Sequence, residues 1–192
     1  MITFPGCENM QTQQFDPCAT EDPLAEYRSG STEPATVNIL CALVFAIKPR
    51  QLLETGTYRA LTTERLHFAS PEGSTLTTIE HDTKRCQDAV RKCAEYPNIL
   101  FHNDDAIDFL EAYIGPRFNF VFLDDDHEAQ HVAAELDLLL QRNLVAPGGI
   151  ICVHDVFGPF GLGPVVVARH GFLLDLPKLH AAGGLGVIQL PS

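Results

Sequence analysis

The residues best able to do chemistry stand where apolar runs end. Leu52-Leu53-Glu54-Thr55-Gly56-Thr57 closes such a run on an acid and a glycine, and a stretch able to start a helix follows, reaching Thr62 and Thr63. A strand, a tight turn and a helix N-terminus in that order aim backbone N–H groups and the positive end of a helix dipole at a ligand. Gly56 would let the turn come close without interference from a Cβ. The next run, Leu76-Thr77-Thr78-Ile79, ends on Glu80. An acid placed there is the usual partner of ribose hydroxyls in nucleotide-type sites. Two later runs end on Asp124-Asp125-Asp126-His127 and on His154-Asp155. Such carboxylates are hard oxygen ligands for a divalent ion, and an acidic run before a helix serves equally as its N-cap.

These ends need elements to hold them. Ser31, Thr32 and Pro34 predict a capped helix start, with the helix running to about Ile47 and Val37, Leu40, Cys41, Val44 and Phe45 on its apolar side. Strands are expected over Gln51–Glu54, Leu76–Glu80, Ile99–His102, Phe118–Leu123 and Ile150–Val153. Helices are expected between them, over about Thr62–Ala69, Thr83–Glu95, from Asp104-Asp105-Ala106 to Gly115, and Ala129–Gln141. Several strands are apolar throughout, the mark of a parallel sheet covered on both faces. Alternation with helices makes the fold α/β and doubly wound. After Asp155 the pattern changes to a Gly- and Pro-rich stretch, a short apolar piece at Val165–Ala168, and two closing strands, Gly171–Leu176 and Gly186–Leu190.

With 192 residues, 45% apolar and 20% charged, the chain suits one globular domain. An irregular arm over 1–28 precedes a single domain at 29–192, and the arm would order in an oligomer or over a ligand. No apolar run approaches the ~20 residues of a membrane span, and no signal peptide is read at the N-terminus. The net charge of −12 argues against a nucleic-acid partner. Six cysteines, Cys7, Cys18, Cys41, Cys86, Cys93 and Cys152, form no C-x-x-C and no zinc spacing, and read as the free thiols of a cytoplasmic protein. Cys41 and Cys152 read as small buried hydrophobes.

Taken in order, Leu-Leu-Glu-Thr-Gly-Thr, Thr-Ile-Glu-His-Asp, Asp-Asp-Ala, Phe-Leu-Asp-Asp-Asp-His and Pro-Gly-Gly-Ile-Ile-Cys-Val-His-Asp resemble the class I S-adenosylmethionine-dependent methyltransferases. The chain is most similar to the small O-methyltransferases of the catechol, caffeoyl-coenzyme-A and antibiotic-sugar types, over about Ser29 to Leu190. The resemblance implies a mostly parallel, seven-stranded Rossmann-like sheet with an antiparallel C-terminal strand pair. It implies that Glu54, Gly56 and Thr57 lie against the methionine part of the cofactor, with Thr62 keeping a customary hydroxyl. Ser31 or Thr32 would hold the cofactor carboxylate, Glu80 the ribose, Asp105 and Ala106 the adenine, and Asp124 the amino group. It also makes a homodimer an expectation.

Methyl transfer is an in-line displacement that needs an oriented nucleophile and a way to remove its proton. The partner expected is a small-molecule hydroxyl. Asp124 and Asp126 (or Asp125 in its place), with Asp155, could hold magnesium and lower that hydroxyl's pKa. His127 is the expected base, with His154 its rival; a solvated helix-start histidine is the plainer reading of His127. His131 would share its helical face; a metal pair there is conceivable, and two exposed histidines are the plainer reading. Two departures from the family bear on activity. Ala60 stands where a second glycine is usual, and alanine penalises positive φ; Val156 stands where metal-dependent relatives often carry Asn. They open an alternative, a cofactor-binding scaffold without turnover. A nicotinamide-dependent oxidoreductase would need the G-x-G-x-x-G that is missing here.

Overall fold

The computed structural model describes residues 30–179 and 181–192. The arm at 1–28, with Cys7 and Cys18, lies outside the described residues. Among them the elements run α1 Pro34–Ile47, β1 Gln51–Thr55, α2 Leu61–Ala69, β2 Thr75–Ile79, α3 Thr83–Lys92, β3 Ile99–His102 and α4 Ala106–Ala112. They continue with β4 Phe118–Leu123, α5 Ala129–Gln141, β5 Val145–Phe157, α6 Leu162–Val167, β6 Phe172–Leu174 and β7 Gly183–Gln189.

The strands form one seven-stranded sheet in the order β3-β2-β1-β4-β5-β7-β6. β1 pairs in parallel with β2 and β4, as do β2 with β3 and β4 with β5. β7 runs antiparallel to both β5 and β6, which is the closing pair expected from the sequence.

Successive strand residues face opposite sides of a sheet. Leu52, Phe120, Phe122 and Cys152 join a core with Leu40 and Val44 of α1, Leu66 of α2 and Ala89 of α3. Leu53, Val121, Ile151 and Val153 join a second core with Leu110 of α4, Leu136 and Leu139 of α5, and Val166 of α6. Helices therefore cover both faces, and Phe118, Phe120, Val121 and Phe122 are fully buried between them. Both sides being apolar explains why β4 reads as an unbroken apolar run.

Several local expectations change. Phe45 is 72% exposed, and Cys41 is only part-buried, its Sγ donating to the Arg65 carbonyl. The N-cap of α1 is Glu33, with no side-chain cap bond, so neither Ser31 nor Thr32 caps it. α3 stops at Lys92, short of Glu95, and Cys93 becomes its C-cap. β5 starts at Val145 because a register shift between Phe118 and Phe120 absorbs Pro147-Gly148-Gly149. α6 begins inside the Gly- and Pro-rich stretch and ends before Ala168. No helix among the described residues is long and apolar enough to cross a membrane.

Candidate functional site

Parallel packing brings the carboxyl ends of β1, β2, β4 and β5 to one edge of the sheet. There a cavity of about 810 Å³ opens, lined by Gly56, Glu80, Asp105, Ala106, Asp124 and His127 among others. These six are predicted site residues, and the fold gathers them around one space. A smaller hollow beside it, of about 30 Å³, is lined by Ser31, Thr32, Gly56, Thr57, Thr62 and Asp124.

The β1–α2 turn does not behave as the sequence suggests. Gly56 and Thr57 both donate their backbone N–H to the Ile79 carbonyl, at 3.0 and 3.2 Å, and Tyr58 N–H donates to Glu80 Oε2 at 2.8 Å. These donors tie the turn to β2 and are not free for a ligand. Gly56, at φ +85°, meets a different need. A Cβ there would stand 2.2 Å from the Asp124 carbonyl oxygen, so only glycine lets the turn reach the end of β4. Ala60 occupies the left-handed region at φ 56°, as N-cap of α2 and fully buried. The backbone shape a glycine would favour is thus kept, with an alanine bearing the strain.

The acids then sort by face. Glu54 points into the core on the α2 side, where Thr63 and Thr78 hydroxyls donate to its Oε2 at 2.5 and 2.7 Å. Thr57 Oγ1 extends this chain through Thr78, at 2.6 Å. Glu54 is fully buried and does not line the cavity, and its burial pushes its pKa up to about 8. Glu80 is buried at the cavity edge. Its Oε1 accepts Asp82 N–H at 2.9 Å, and with one bond on each oxygen it keeps lone pairs for further donors. Asp105 caps α4, accepting N–H from Ile107 and Asp108 through one oxygen. Ser31 Oγ is buried and finds no hydrogen-bond partner among the described residues.

The histidines carry the largest surprise. His154 is buried, with Nε2 2.7 Å from Glu33 Oε2 and Nδ1 2.8 Å from Asp124 Oδ1. Asp124 Oδ2 accepts from Thr32 Oγ1 at 2.7 Å, and Thr62 Oγ1 donates to Thr32 at 3.0 Å. Burial opposes charge on this imidazole, but the Asp124 and Glu33 carboxylates outweigh it and hold its pKa well above the usual histidine range. Burial likewise opposes charge on Glu33, and the bond and charge of His154, together with backbone hydrogen bonds, outweigh it and lower the carboxyl's pKa. His154 is therefore a clamped cation, with both ring nitrogens engaged.

His127 is left facing the cavity. Its Nδ1 lies 3.6 Å from Asp155 Oδ2 and its ring stacks on Phe160 at 4.9 Å. Asp155 sits at φ 55°, at the register shift that breaks the β5–β7 ladder between His154 and Phe157. Bulges of this kind re-aim side chains near active sites. Burial raises the pKa of Asp155.

Of the predicted metal set, Asp124 and Asp155 both approach His154 Nδ1, Asp155 at 3.4 Å, whereas Asp126 uses Oδ1 to accept Glu128 N–H at 2.8 Å. His131, expected on the surface, is only 16% exposed and bonds Asp125 at 3.2 Å. Glu33 and Glu135 were missed by sequence reading. Glu135 carried a signal, an acid in the apolar stripe of Val132, Leu136 and Leu139; Glu33 carried none beyond its place before Pro34.

Residues 53–156 match the family model described as a methyltransferase domain. No curated protein matches the chain. Among solved structures the chain is similar to an O-methyltransferase from Bacillus cereus in complex with SAH, at TM-score 0.72 and 18% identity, covering 91% of this chain and 94% of that one. It is similar to TomG, an O-methyltransferase from Streptomyces achromogenes involved in tomaymycin synthesis, in complex with SAM, at TM-score 0.67 and 19% identity, covering 82% and 80%. It is also similar to the N-methyltransferase NodS from Bradyrhizobium japonicum in complex with S-adenosyl-L-homocysteine, at TM-score 0.66 and 13% identity, covering 90% of each. Likenesses at this identity speak for the fold, and these neighbours include both O- and N-methyltransferases.

Proposed function

The chain belongs to the methyltransferase-domain family, and from that premise we propose that it moves a methyl group from S-adenosylmethionine to a hydroxyl of a small molecule. The observation that carries this reading is the cavity over the carboxyl ends of β1, β2 and β4, which Glu80, Asp105, Ala106, Asp124 and Gly56 all line. TomG and the Bacillus cereus O-methyltransferase, of the same fold, are in complex with SAM and SAH respectively. The acidic lining suits a cofactor that carries a sulfonium and an ammonium. Glu80 would take the ribose hydroxyls on its remaining lone pairs, and Ser31 Oγ is a donor for the cofactor's carboxylate.

His127 would accept the acceptor's hydroxyl proton as that oxygen attacks the methyl carbon. The new C–O bond forms as the C–S bond breaks, and the electron pair stays on sulfur as S-adenosylhomocysteine. Asp155, 3.6 Å from His127 Nδ1, would steady the imidazolium so formed. A base in this position contributes about 10²–10⁴-fold. His154 is the weaker candidate for base, since both its nitrogens already serve carboxylates.

Magnesium at Asp124, Asp126 and Asp155 fits these residues poorly. Each Asp124 oxygen already serves one donor, His154 or Thr32, Asp126 Oδ1 accepts Glu128 N–H, and the raised pKa of His154 puts a positive imidazole beside Asp124 and Asp155, where the ion would sit. The proposed reaction therefore uses side chains alone. It is tested by incubating the protein with methyl-labelled S-adenosylmethionine and a panel of phenolic and sugar hydroxyls. Acceptor-dependent release of S-adenosylhomocysteine is expected; cofactor binding with no transfer to any member would overturn the reading.

A further inference from the structure

We propose that Asp125, His131 and Glu135 form a binding site for a divalent transition ion of the zinc class. The site is separate from the Glu33–His154–Asp124 clamp and does not depend on the methyl-transfer reading. One potential ligand atom from each residue lies within 4.8 Å of the other two. His131 and Glu135 sit one turn apart on α5 and so project from the same helical face. Asp125 comes from the loop after β4, and its Oδ2 is 3.2 Å from His131 Nε2.

The group points to a cation because its oxygens are not otherwise satisfied. Glu135 is fully buried, and neither of its carboxylate oxygens has a partner at full hydrogen-bond geometry among the described residues, with the Thr55 hydroxyl and the Asp125 carboxyl lying beside it. The same holds for Asp125 Oδ1. Three buried carboxylate oxygens left in this state are an unusual concentration, since buried polar groups are nearly always paired. A cation between Asp125 and Glu135 would satisfy these carboxylate oxygens and offset the repulsion of two carboxylates held close together.

The pattern follows from the sheet. Alternation along β1 sends Glu54 toward α2 and Thr55 toward α5, and the chain after β4 likewise gives Asp124 to one face and Asp125 to the other. Asp125 and His131 also line the 810 Å³ cavity, so an ion has a path in from solvent. One imidazole nitrogen with two carboxylates suits zinc or a similar transition ion, whereas magnesium favours all-oxygen shells with several waters.

The test is calorimetric titration of the chelator-stripped full chain with zinc and, separately, with magnesium. The expected result is one equivalent of zinc bound at micromolar concentration or below, with magnesium at least about tenfold weaker. His131→Ala and Glu135→Gln should each weaken zinc by at least about tenfold, while Asp155→Asn leaves it unchanged. Should Glu135→Gln fail to fold, cobalt titration of the unmodified protein decides. Visible ligand-field bands that His131→Ala removes support the site. Absence of zinc binding, equal affinity in His131→Ala, or a sulfur-to-cobalt charge-transfer band would overturn it.

Discussion

Glu33 and His154 lie 121 positions apart in the chain and 2.7 Å apart in the fold, joined by a bond between Glu33 Oε2 and His154 Nε2. The other ring nitrogen meets Asp124, so the end of β5 is fastened both to the start of α1 and to the end of β4. A cation held between two carboxylates out of water is costly to break from one side, because the remaining charges stay buried. His154→Ala should therefore cost about 3–5 kcal/mol, read from urea unfolding at neutral pH; a loss within about 1 kcal/mol would mean that the clamp carries little.

The same clamp has a pH signature. The His154 pKa is raised, so its stabilisation is fully present below the ordinary histidine value of about 6.5 and is lost as pH rises through the higher folded value. The Glu33 pKa is lowered, so its share is present above the ordinary value of about 4.3 and is lost as pH falls through the lower folded value. Compared with His154→Gln, the native protein should lose its advantage on both the alkaline and the acid side. Parallel stability profiles for the two proteins would contradict this.

Glu54 gives the opposite slope. Burial lifts its pKa to about 8, so the folded state holds a proton that the unfolded state releases above about 4.3. Stability should fall as pH rises between those values and level off above them. Glu54→Gln, which keeps the shape and removes the titration, should flatten that fall and raise the unfolding midpoint at pH 8. A variant that follows the native slope would show that Glu54 is not the group responsible.

How much of this was legible in the sequence depends on distance along the chain. Phe118–Leu123 and Ala129–Gln141 appear with the bounds their patterns predict, because periodicity and burial agree there. The start of β5 did not, because Pro147-Gly148-Gly149 reads as a turn while the ladder takes it up as an irregularity. The strand-end acids were found as a set, but not which way each would point. Glu54 was expected at the ligand and faces Thr63 and Thr78, a choice made by strand alternation and the packing of α2. His154 with Glu33 was unreadable, since nothing local to either residue announces a partner so far away.

Gly56 is tested by adding one methyl group. Its left-handed φ and the Asp124 backbone 2.2 Å from any Cβ leave no room for adjustment by side chains alone. Gly56→Ala should cost about 3 kcal/mol and displace the end of β4. Chemical denaturation reads the first effect and cofactor affinity the second. A loss below about 1 kcal/mol would mean that the turn relaxes easily.

His127 separates chemistry from binding. His127→Ala should lower kcat by about 10²-fold or more, with KM for S-adenosylmethionine changed by no more than about twofold. Its ring meets Asp155 and Phe160 at the cavity wall and holds up no buried core. Unchanged kcat would return the role of base to another group.

The most direct measurement is calorimetric titration of the protein with S-adenosylhomocysteine, alongside Glu80→Gln. One equivalent should bind to the native chain, and the variant should bind about tenfold more weakly, since Glu80 at the end of β2 faces the cavity with lone pairs to spare. No binding by the native chain, or equal binding by both, would contradict the claim that this cavity is the cofactor site.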